Sequence, residues 1–167
     1  MTLKNLYLIV AMTKKTNSIG KNGNLLYFLK EDMDFFKEKT YFNSIICGRK
    51  TFETFKIKPL PKRKNIVITK SDFHFEGVKT FNDIPKLLEF IKENPFEKFL
   101  VCGGESIYRQ LMPYCFKMFI TKFQEKENIN ADAHFPKIDD TIWKIVDIKN
   151  GKNKNPSLEF YTYEKIL

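Results

Sequence analysis

The sequence predicts an α/β domain built on a largely parallel β-sheet. Apolar runs typical of strands alternate with amphipathic runs typical of helices along most of the chain, the order expected when helices connect parallel strands. The last two strand-like runs follow each other without a helix, which predicts an antiparallel hairpin at one edge of the sheet. No repeat or long linker divides the 167 residues, so we expect one domain spanning residues 1–167.

The elements are expected in the following order. The first strand, residues 6–12, leads into a long glycine-bearing connection at 17–24 and then into a helix at 31–40, where Leu29, Met33 and Phe36 recur on one face. Further apolar runs predict strands at 44–47, 64–69, 77–80, 99–102, 117–123, 143–149 and 158–164. Amphipathic runs predict the remaining helices at 50–55, 83–93 and 105–112.

Asp32 is an acidic residue within the apolar stripe of the helix at 31–40. A carboxylate that is buried must find a partner or take a raised pKa, and enzymes use this arrangement to hold a proton relay in a dry cleft. An acidic residue in a first helical turn also favours the helix N-terminus through the helix dipole. Position alone therefore leaves two interpretations of Asp32, a catalytic group and a helix-terminal charge.

Composition narrows the class of protein. The formal net charge of +9 favours anionic partners, but the lysines are scattered among acidic residues and the densest cluster, Pro61-Lys-Arg-Lys-Asn65, is short. Nucleic acid, a phosphorylated cofactor and a polyacidic small substrate all remain compatible with the charge. No stretch approaches the roughly 20 apolar residues that span a bilayer, so we expect a soluble, untargeted protein.

The cysteines and histidines argue against several kinds of site. Cys47, Cys102 and Cys115 are an odd number without close pairing, which suits neither a disulfide framework nor a zinc site and favours a reducing cytoplasm. The two histidines, His74 and His134, leave little from which to build a metal site or a serine-type triad.

Two strands end in glycine where a helix begins, in Ile45-Ile-Cys-Gly48-Arg-Lys-Thr51 and in Leu100-Val-Cys-Gly103-Gly-Glu-Ser106. Such a junction presents backbone N–H groups and a helix dipole to an anion, and glycine permits close approach, although it also serves plain turns. Neither segment is a G-x-G-x-x-G or a G-x-x-x-x-G-K-[ST] motif. Two junctions predict a pyrophosphate-bearing ligand. Lys70 is either a partner of Arg49 around a further phosphate or an ordinary exposed lysine.

Taken together and in order, these residues resemble the dihydrofolate reductase family. The resemblance runs from Leu6 to Tyr163 without large gaps, and its joint order is more specific than any single piece. The matching pieces are Ile9-Val-Ala11, Ile19-Gly20, Asp32 with Phe36-Lys37, Gly48-Arg-Lys-Thr51, Pro59-Leu-Pro with Arg63-Lys-Asn65, Gly103-Gly104 with Ile107-Tyr108, Thr121, and Asp132 with His134-Phe-Pro136.

The resemblance implies a fold and an activity. The fold is a three-layer domain with a mostly parallel eight-stranded sheet, an antiparallel C-terminal strand and about four flanking helices. Its adenosine-binding subdomain would cover roughly residues 43–114, and the remainder would form the loop subdomain. The activity is the NADPH-dependent reduction of 7,8-dihydrofolate to 5,6,7,8-tetrahydrofolate, with hydride transfer to C6 and protonation at N5, in a cytoplasmic monomer.

The resemblance also assigns catalytic and substrate-binding residues. Asp32 matches the acid that binds the pterin N3 and 2-amino groups and supports protonation at N5, and Thr121 matches its brace. Arg63 matches the arginine that holds the α-carboxylate of the glutamate tail. Tyr27, with Leu26, replaces the Pro-Trp pair of most bacterial members and is expected to share the catalytic role of the tryptophan. The other expected substrate contacts are Ile9, Val10, Met33, Phe36, Phe55, Leu60, Cys102 and Tyr108.

The cofactor side is implied in the same way. Arg49 and Lys70 match positions that face the 2′-phosphate, which favours NADPH over NADH, and the Gly103-Gly104 peptide is expected to be cis. Glu105 is also expected among the cofactor contacts, but it departs from many relatives, and an acid beside phosphates is unfavourable unless it points away. The other expected cofactor contacts are Ala11, Ile19, Gly20, Leu25, Gly48, Lys50, Thr51, Ile68, Thr69, Cys102, Ser106, Ile107, Tyr108 and Gln110, with residues 19–25 as the mobile loop that closes over the site.

Two other functions are compatible with parts of the sequence. A pyrimidine reductase of riboflavin biosynthesis shares the fold, but Asp32 together with Arg63 favours a pterin with a glutamate tail. A basic nucleic-acid-binding module would explain the net charge, yet the aromatic residues, at 15%, fall at core-like spacings instead of forming an exposed stacking pattern.

Overall fold

A mixed eight-stranded β-sheet forms the centre of the computed structural model, which describes residues 1–125 and 130–167. The strands are β1 (Leu3–Thr13), β2 (Ser18–Lys21), β3 (Asn24–Leu25), β4 (Ser44–Gly48), β5 (Lys64–Ile68), β6 (Val78–Phe81), β7 (Phe99–Val101), β8 (Cys115–Phe123), β9 (Ala133–His134), β10 (Trp143–Lys154) and β11 (Ser157–Lys165). The helices are α1 (Lys30–Thr40), α2 (Arg49–Glu53), α3 (Ile84–Glu93) and α4 (Glu105–Leu111), followed by a 3₁₀ turn at Met112–Tyr114.

The large sheet has the strand order β10-β11-β8-β1-β7-β4-β5-β6. Neighbouring strands from β8 to β6 are parallel, and β11 alone runs antiparallel to both of its neighbours, β8 and β10. The predicted fold class is confirmed, including the antiparallel C-terminal strand and the four helices. The parallel arrangement brings the carboxyl ends of β1, β4, β5 and β7 to one edge, where α/β proteins place their ligands.

Helices cover both faces of the sheet, and alternation along β1 decides which face each side chain serves. Ile9 packs with Phe119 and with Phe35 and Phe36 of α1 on one face. Leu8, Val10 and Met12 point to the other face, where the apolar sides of α3 and α4 complete the larger core. The helix α2 joins α1 on the first face, because Cys102 packs both with the α1 cluster and with the cluster around Phe52.

The helices α1 and α3 differ in how they are held. Asp83 caps α3 by accepting a hydrogen bond from the Lys86 N–H at 2.7 Å, and Leu87 and Ile91 are fully buried. In α1 the one fully buried residue is Thr40, and no side chain caps its first turn. The apolar side of α1 is therefore incompletely covered, with Met33 still 47% exposed.

The connection at 17–24, which we expected to be a loop, forms most of a second sheet with the order β3-β2-β9. Asn22 and Gly23 have φ angles of 53° and 79°, which makes them the central residues of a type I′ hairpin turn between β2 and β3. The Asn-Gly pair is the local signal for that hairpin. The third strand, β9, lies more than a hundred residues away in the sequence, so no local pattern could reveal it.

Boundaries also shift at the C-terminal hairpin. The strand β10 extends to Lys154, through the polar stretch that we expected to be its turn. Gly151 allows this, since a Cβ at that position would lie 2.7 Å from the side chain of Leu158. No helix in the described part of the chain combines the length and the apolar character that crossing a membrane requires.

Candidate active site

Asp32 lies in the first turn of α1, beside the pair formed by Ala11 of β1 and Thr121 of β8. Its side chain is half-buried, whereas Thr121 is buried. Burial raises the pKa of Asp32 above its usual value, a hydrogen bond with the Thr121 hydroxyl opposes the rise, and the charge of Glu31 adds to it. Asp32 is thus a carboxyl group that is held more readily in its protonated form than an exposed one.

Apolar side chains surround this carboxyl group. Ile9 and Phe36 belong to one cluster, Phe55 packs against Phe52 in a neighbouring cluster, and Cys102 touches both. Leu60 and Met33 are partly or largely exposed at the margin. Ile9, Phe36 and Cys102 therefore lie on the face of the sheet that α1 covers, with Phe55 in the adjoining cluster. Val10 is different: its side chain lies in the core of the opposite face, so only its backbone is on this side.

Tyr108 crosses the sheet edge from α4 and donates a hydrogen bond from its hydroxyl to the Ile9 carbonyl at 2.8 Å. Burial raises the pKa of Tyr108 well above its usual value, and a negative charge on Asp32 would act in the same direction. A neutral hydroxyl is therefore held beneath the pocket at the carboxyl end of β1.

Arg63 lies beside the last residue of α1, and several groups hold its guanidinium in place. Its Nε donates to the Pro61 carbonyl at 2.8 Å and its Nη1 to the Thr40 hydroxyl at 3.1 Å, while Tyr41 lies 4.6 Å from the guanidinium carbon. Buried Asn65 braces the preceding turn: its side chain accepts from the Leu60 N–H and donates to the Leu60 and Arg63 carbonyls. These contacts pre-orient a planar cation.

The two glycine junctions meet at the carboxyl ends of β4 and β7. The Gly48 N–H donates to the Gly103 carbonyl at 2.9 Å, and the Gly103-Gly104 peptide is cis, as expected. Neither helix that follows has a side-chain cap on its first N–H groups. A Cβ on Gly104 would lie 3.3 Å from the Thr51 hydroxyl, and one on Gly48 3.3 Å from Ile107, so both glycines let the two junctions pack closely against each other's helices.

Gly103→Ala is expected to weaken NADPH binding and to destabilise the fold by about 1–3 kcal/mol, since Gly103 has a φ of 123° that side chains rarely adopt. Urea unfolding and NADPH titration measure the two effects. Gly77→Ala is the matched control, because Gly77 also has a positive φ, 79°, but lies outside the site. Equal NADPH affinities for Gly103→Ala and Gly77→Ala would contradict the assignment.

Cations stand at the adjoining strand ends. The register pairs Gly48 of β4 with Ile68 of β5. Arg49 directly follows β4, and Lys70 follows β5 after Thr69, so the two cations stand at the ends of neighbouring strands. Arg49 pairs only loosely with Glu53, at 3.6 Å, and Lys50 and Lys70 are exposed. Within residues 1–125 and 130–167, no group of His, Cys, Asp and Glu side chains is arranged to hold a metal ion.

Comparison with known proteins decides the family. The profile of the family described as dihydrofolate reductase matches residues 5–165. The dihydrofolate reductase of Bacillus subtilis is 40% identical over 151 residues, which cover 88% of this chain and 87% of that protein, and that of Buchnera aphidicola is 36% identical over 155 residues, which cover 91% and 93%. The chain belongs to the dihydrofolate reductase family. Its members are oxidoreductases that use NADPH to reduce dihydrofolate, and the two alternative functions are not favoured.

A solved structure agrees over the whole chain. The dihydrofolate reductase from Enterococcus faecalis, complexed with NADP(H) and RAB-propyl, matches with a TM-score of 0.85 at 31% sequence identity, covering 98% of each chain. This structural match supports the family fold and the NADPH cofactor independently of the sequence motifs.

Two departures from the family pattern have clear positions. Tyr27, in place of the usual tryptophan, packs its ring on Phe123 with the centroids 4.9 Å apart, and burial followed by the charge of Glu125 raises its pKa. A small hollow is lined by Tyr27 together with Ala11, Ser18, Ile19, Leu25, Leu26 and Phe123. Tyr27 therefore adjoins three of the residues expected to contact the cofactor.

Glu105, the second departure, turns away from the glycine junction. Its carboxylate accepts a hydrogen bond from the His134 N–H at 2.7 Å and pairs with Arg109 at 3.3 Å, and these partners lower the pKa of Glu105 despite some burial. On the next turn Gln110 donates to the Ser106 hydroxyl at 2.9 Å, so these two residues bond to each other.

Asp132 and Asn22 have a structural part in the site that the sequence did not reveal. Asp132 accepts a hydrogen bond from the Asn22 N–H at 2.9 Å and donates its own N–H to the Gly20 carbonyl at 3.1 Å. Asp132 belongs to a piece of the sequence that matches the family, but no role was assigned to it. The Asn22-Gly23 pair was the local signal for the turn to which Asp132 bonds. Together they hold the small sheet that carries Ile19, Gly20 and Leu25.

Proposed function

We propose that this member of the dihydrofolate reductase family reduces 7,8-dihydrofolate to 5,6,7,8-tetrahydrofolate through Asp32, which binds the pterin N3 and 2-amino groups and supports protonation at N5. The observation that carries the proposal is the half-buried Asp32 carboxyl group, whose pKa is raised and which bonds with buried Thr121 between apolar walls. Burying a carboxyl group costs folding free energy unless the group is paired or hydrogen-bonded. A half-buried carboxyl group at this position therefore favours a role in binding a ligand. General acid support of this kind requires a pKa near the working pH.

The apolar walls and Arg63 suit the rest of the substrate. Ile9, Phe36 and Phe55 would pack on the flat pterin and aminobenzoate rings and exclude water. Arg63 would bind the glutamate α-carboxylate, because two of its nitrogens are already held by protein oxygens in a fixed plane. A substrate with an acidic tail at one end and a hydrogen-bonding pyrimidine edge at the other fits this arrangement.

The glycine cradle suits NADPH, which supplies the hydride when it is bound. The glycine junctions at Gly48, Gly103 and Gly104 and the uncapped starts of α2 and α4 would accept a pyrophosphate. Arg49 and Lys70 would pair with the 2′-phosphate, with Lys50, Thr51, Ile68 and Thr69 alongside. The adenosine-binding subdomain would then cover roughly residues 43–114.

Tyr27 would take the position of the family's tryptophan. Its ring lines the hollow beside Ala11 and Ile19, and its hydroxyl is protonated at neutral pH, as a tyrosine normally is, with burial raising its pKa further. We propose that this hydroxyl holds water near the pterin. We further propose that the protein acts as a monomer in the cytoplasm, where its three free thiols, Cys47, Cys102 and Cys115, stay reduced.

Substrate comparison tests the proposed function. Oxidation of NADPH is followed with dihydrofolate and, separately, with the ribosylaminopyrimidine of riboflavin biosynthesis. We expect turnover with dihydrofolate, within the range of about 1–1,000 per second that is usual for enzymes, and none above background with the pyrimidine. Turnover of the pyrimidine alone would contradict the proposal and favour the other reductase.

A further inference from the structure

Glu105 joins two parts of the molecule that are distant in sequence. It is the first residue of α4, directly after Gly103 and Gly104, and its side chain is 34% exposed. One carboxylate oxygen accepts the N–H of His134 in β9 at 2.7 Å, while the other faces Arg109. Glu105 thereby supplies a hydrogen-bond acceptor to the backbone of the small sheet from outside that sheet.

The strand that Glu105 holds is bonded along its length to the segment at 17–25. His134 pairs with Ser18 and Ala133 with Gly20 in the register of β2 and β9. Next to this pairing, the Phe135 N–H donates to the Asn17 carbonyl at 2.8 Å. A displacement of β9 would therefore carry the segment at 17–25 with it.

A second contact joins the same two elements and sets the geometry. Phe135 is buried and meets Tyr108 of α4 edge to face, with ring centroids 5.2 Å apart. This apolar contact limits the distance between α4 and β9, but a ring contact does not fix the strand along its own axis. The Glu105 hydrogen bond supplies that missing restraint, because it is directional.

The charge of Glu105 is compensated where it stands. Arg109 lies one helical turn away on the side opposite His134, and the backbone N–H takes up part of the negative charge as well. An acidic group can therefore stand at the start of α4 without directing its charge at the phosphates of a bound dinucleotide. Glu105 therefore acts at this position as a hydrogen-bond acceptor, and Arg109 balances the charge of its carboxylate.

We propose that Glu105 is a positioning residue that ties the closing segment at 17–25, through β9, to the pyrophosphate cradle at Gly103 and Gly104. The proposal rests on the proposed function, since it takes NADPH as the ligand of that cradle. In it, Glu105 holds the small sheet in register over the bound cofactor. Ile19, Gly20 and Leu25 are thereby held against the nicotinamide side.

Three variants separate this role from a general structural one. Glu105→Ala removes the acceptor and is expected to weaken NADPH binding by roughly 3- to 30-fold, as the loss of one charge-assisted hydrogen bond would. The KM for dihydrofolate should change less than about twofold. Glu105→Gln keeps an oxygen that accepts the His134 N–H and should restore most of the lost affinity. Arg109→Gln leaves the bond to β9 intact, and the loss of NADPH affinity caused by its unbalanced Glu105 charge should be smaller than that of Glu105→Ala, because solvent screens this partly exposed pair.

Amide hydrogen exchange at His134 reports the contact without any ligand. The His134 amide should exchange slowly in the parent and in Glu105→Gln and faster in Glu105→Ala, with melting temperatures that show all three to be folded. Absence of dihydrofolate turnover in the parent would remove the proposed function, while the His134 amide would still report the tether. The proposal is overturned if Glu105→Ala binds NADPH as the parent does, if Glu105→Gln recovers nothing, or if Arg109→Gln loses as much as Glu105→Ala.

Discussion

Replacing Asp32 by asparagine is expected to lower kcat at pH 7 by about 100- to 10,000-fold, the range that a positioned acid or base contributes. Asparagine keeps the size of the side chain and one hydrogen-bond acceptor, so the pterin ring still has a place to bind. It cannot exchange a proton or present a negative charge, so protonation at N5 falls to the solvent. The expected result is a folded protein that binds NADPH and has little turnover.

The pH dependence of hydride transfer distinguishes this loss from general damage. In the parent the rate should fall as pH rises through the raised pKa of Asp32, because the carboxyl group then loses its proton. In Asp32→Asn the residual rate should rise about tenfold for each unit of falling pH, since hydronium becomes the proton source. Single-turnover measurements across pH give both profiles. Below the pKa of Asp32 the parental rate should level off while that of Asp32→Asn keeps rising, and parallel profiles in that range would contradict the role of Asp32.

Stability should move in the opposite direction to activity. Because the pKa of Asp32 is raised in the folded protein, its stabilising contribution is complete below the unfolded pKa and is lost as pH rises through the folded pKa. Above the unfolded pKa the carboxyl group therefore costs folding free energy that asparagine does not. Thermal melts of Asp32→Asn should show a melting temperature at least equal to the parental one at pH 7, and the difference should shrink in acid.

Replacing Arg63 by glutamine is expected to raise the KM for dihydrofolate by about 10- to 100-fold, the loss that follows removal of a charge-assisted hydrogen bond. The guanidinium is already oriented by Pro61, Thr40 and Tyr41, so little entropy is lost when a carboxylate binds to it. Because the tail lies away from the reacting atoms, kcat should change far less than KM. Steady-state kinetics with dihydrofolate measure both quantities.

Two controls accompany the Arg63 variant. Lys62→Gln removes a neighbouring cation that lies 5.3 Å from the Tyr41 ring, and its KM should stay within about twofold of the parent if general charge attraction is minor. Dihydropteroate, which lacks the glutamate, should be reduced equally well by the parent and by Arg63→Gln. An equal rise in KM for both substrates would show that Arg63 shapes the pocket instead of binding the tail.

The parts of the fold that followed from sequence are those specified by local patterns. Buried parallel strands are continuous apolar runs, and they gave the parallel strands β4, β5, β6 and β7 to within one residue at each end. The helix α3 was equally plain, because its capping aspartate and buried stripe are both local features. Long-range pairing has no such pattern, and the small sheet was missed for that reason.

The candidate site shows the same division. Asp32 stood out as a carboxylate within an apolar stripe, but its role in a site came from the family resemblance. The two glycine junctions stood out because strand, glycine and helix follow directly in the chain. Val10 was assigned to the pocket with its neighbours, but alternation along β1 sends its side chain to the opposite face. The contact of Glu105 with His134 joins residues 29 apart and depends on tertiary structure alone.

The position of a bound pterin ring relative to Asp32 tests the central claim most directly. A crystal structure with NADPH and folate would measure the distances from the Asp32 carboxylate oxygens to the pterin N3 and 2-amino nitrogens. The account predicts that both distances are about 2.6–3.2 Å, with the glutamate α-carboxylate on Arg63. A ring bound with its pyrimidine edge away from Asp32, or with no polar atom within hydrogen-bonding distance of that carboxylate, would contradict it.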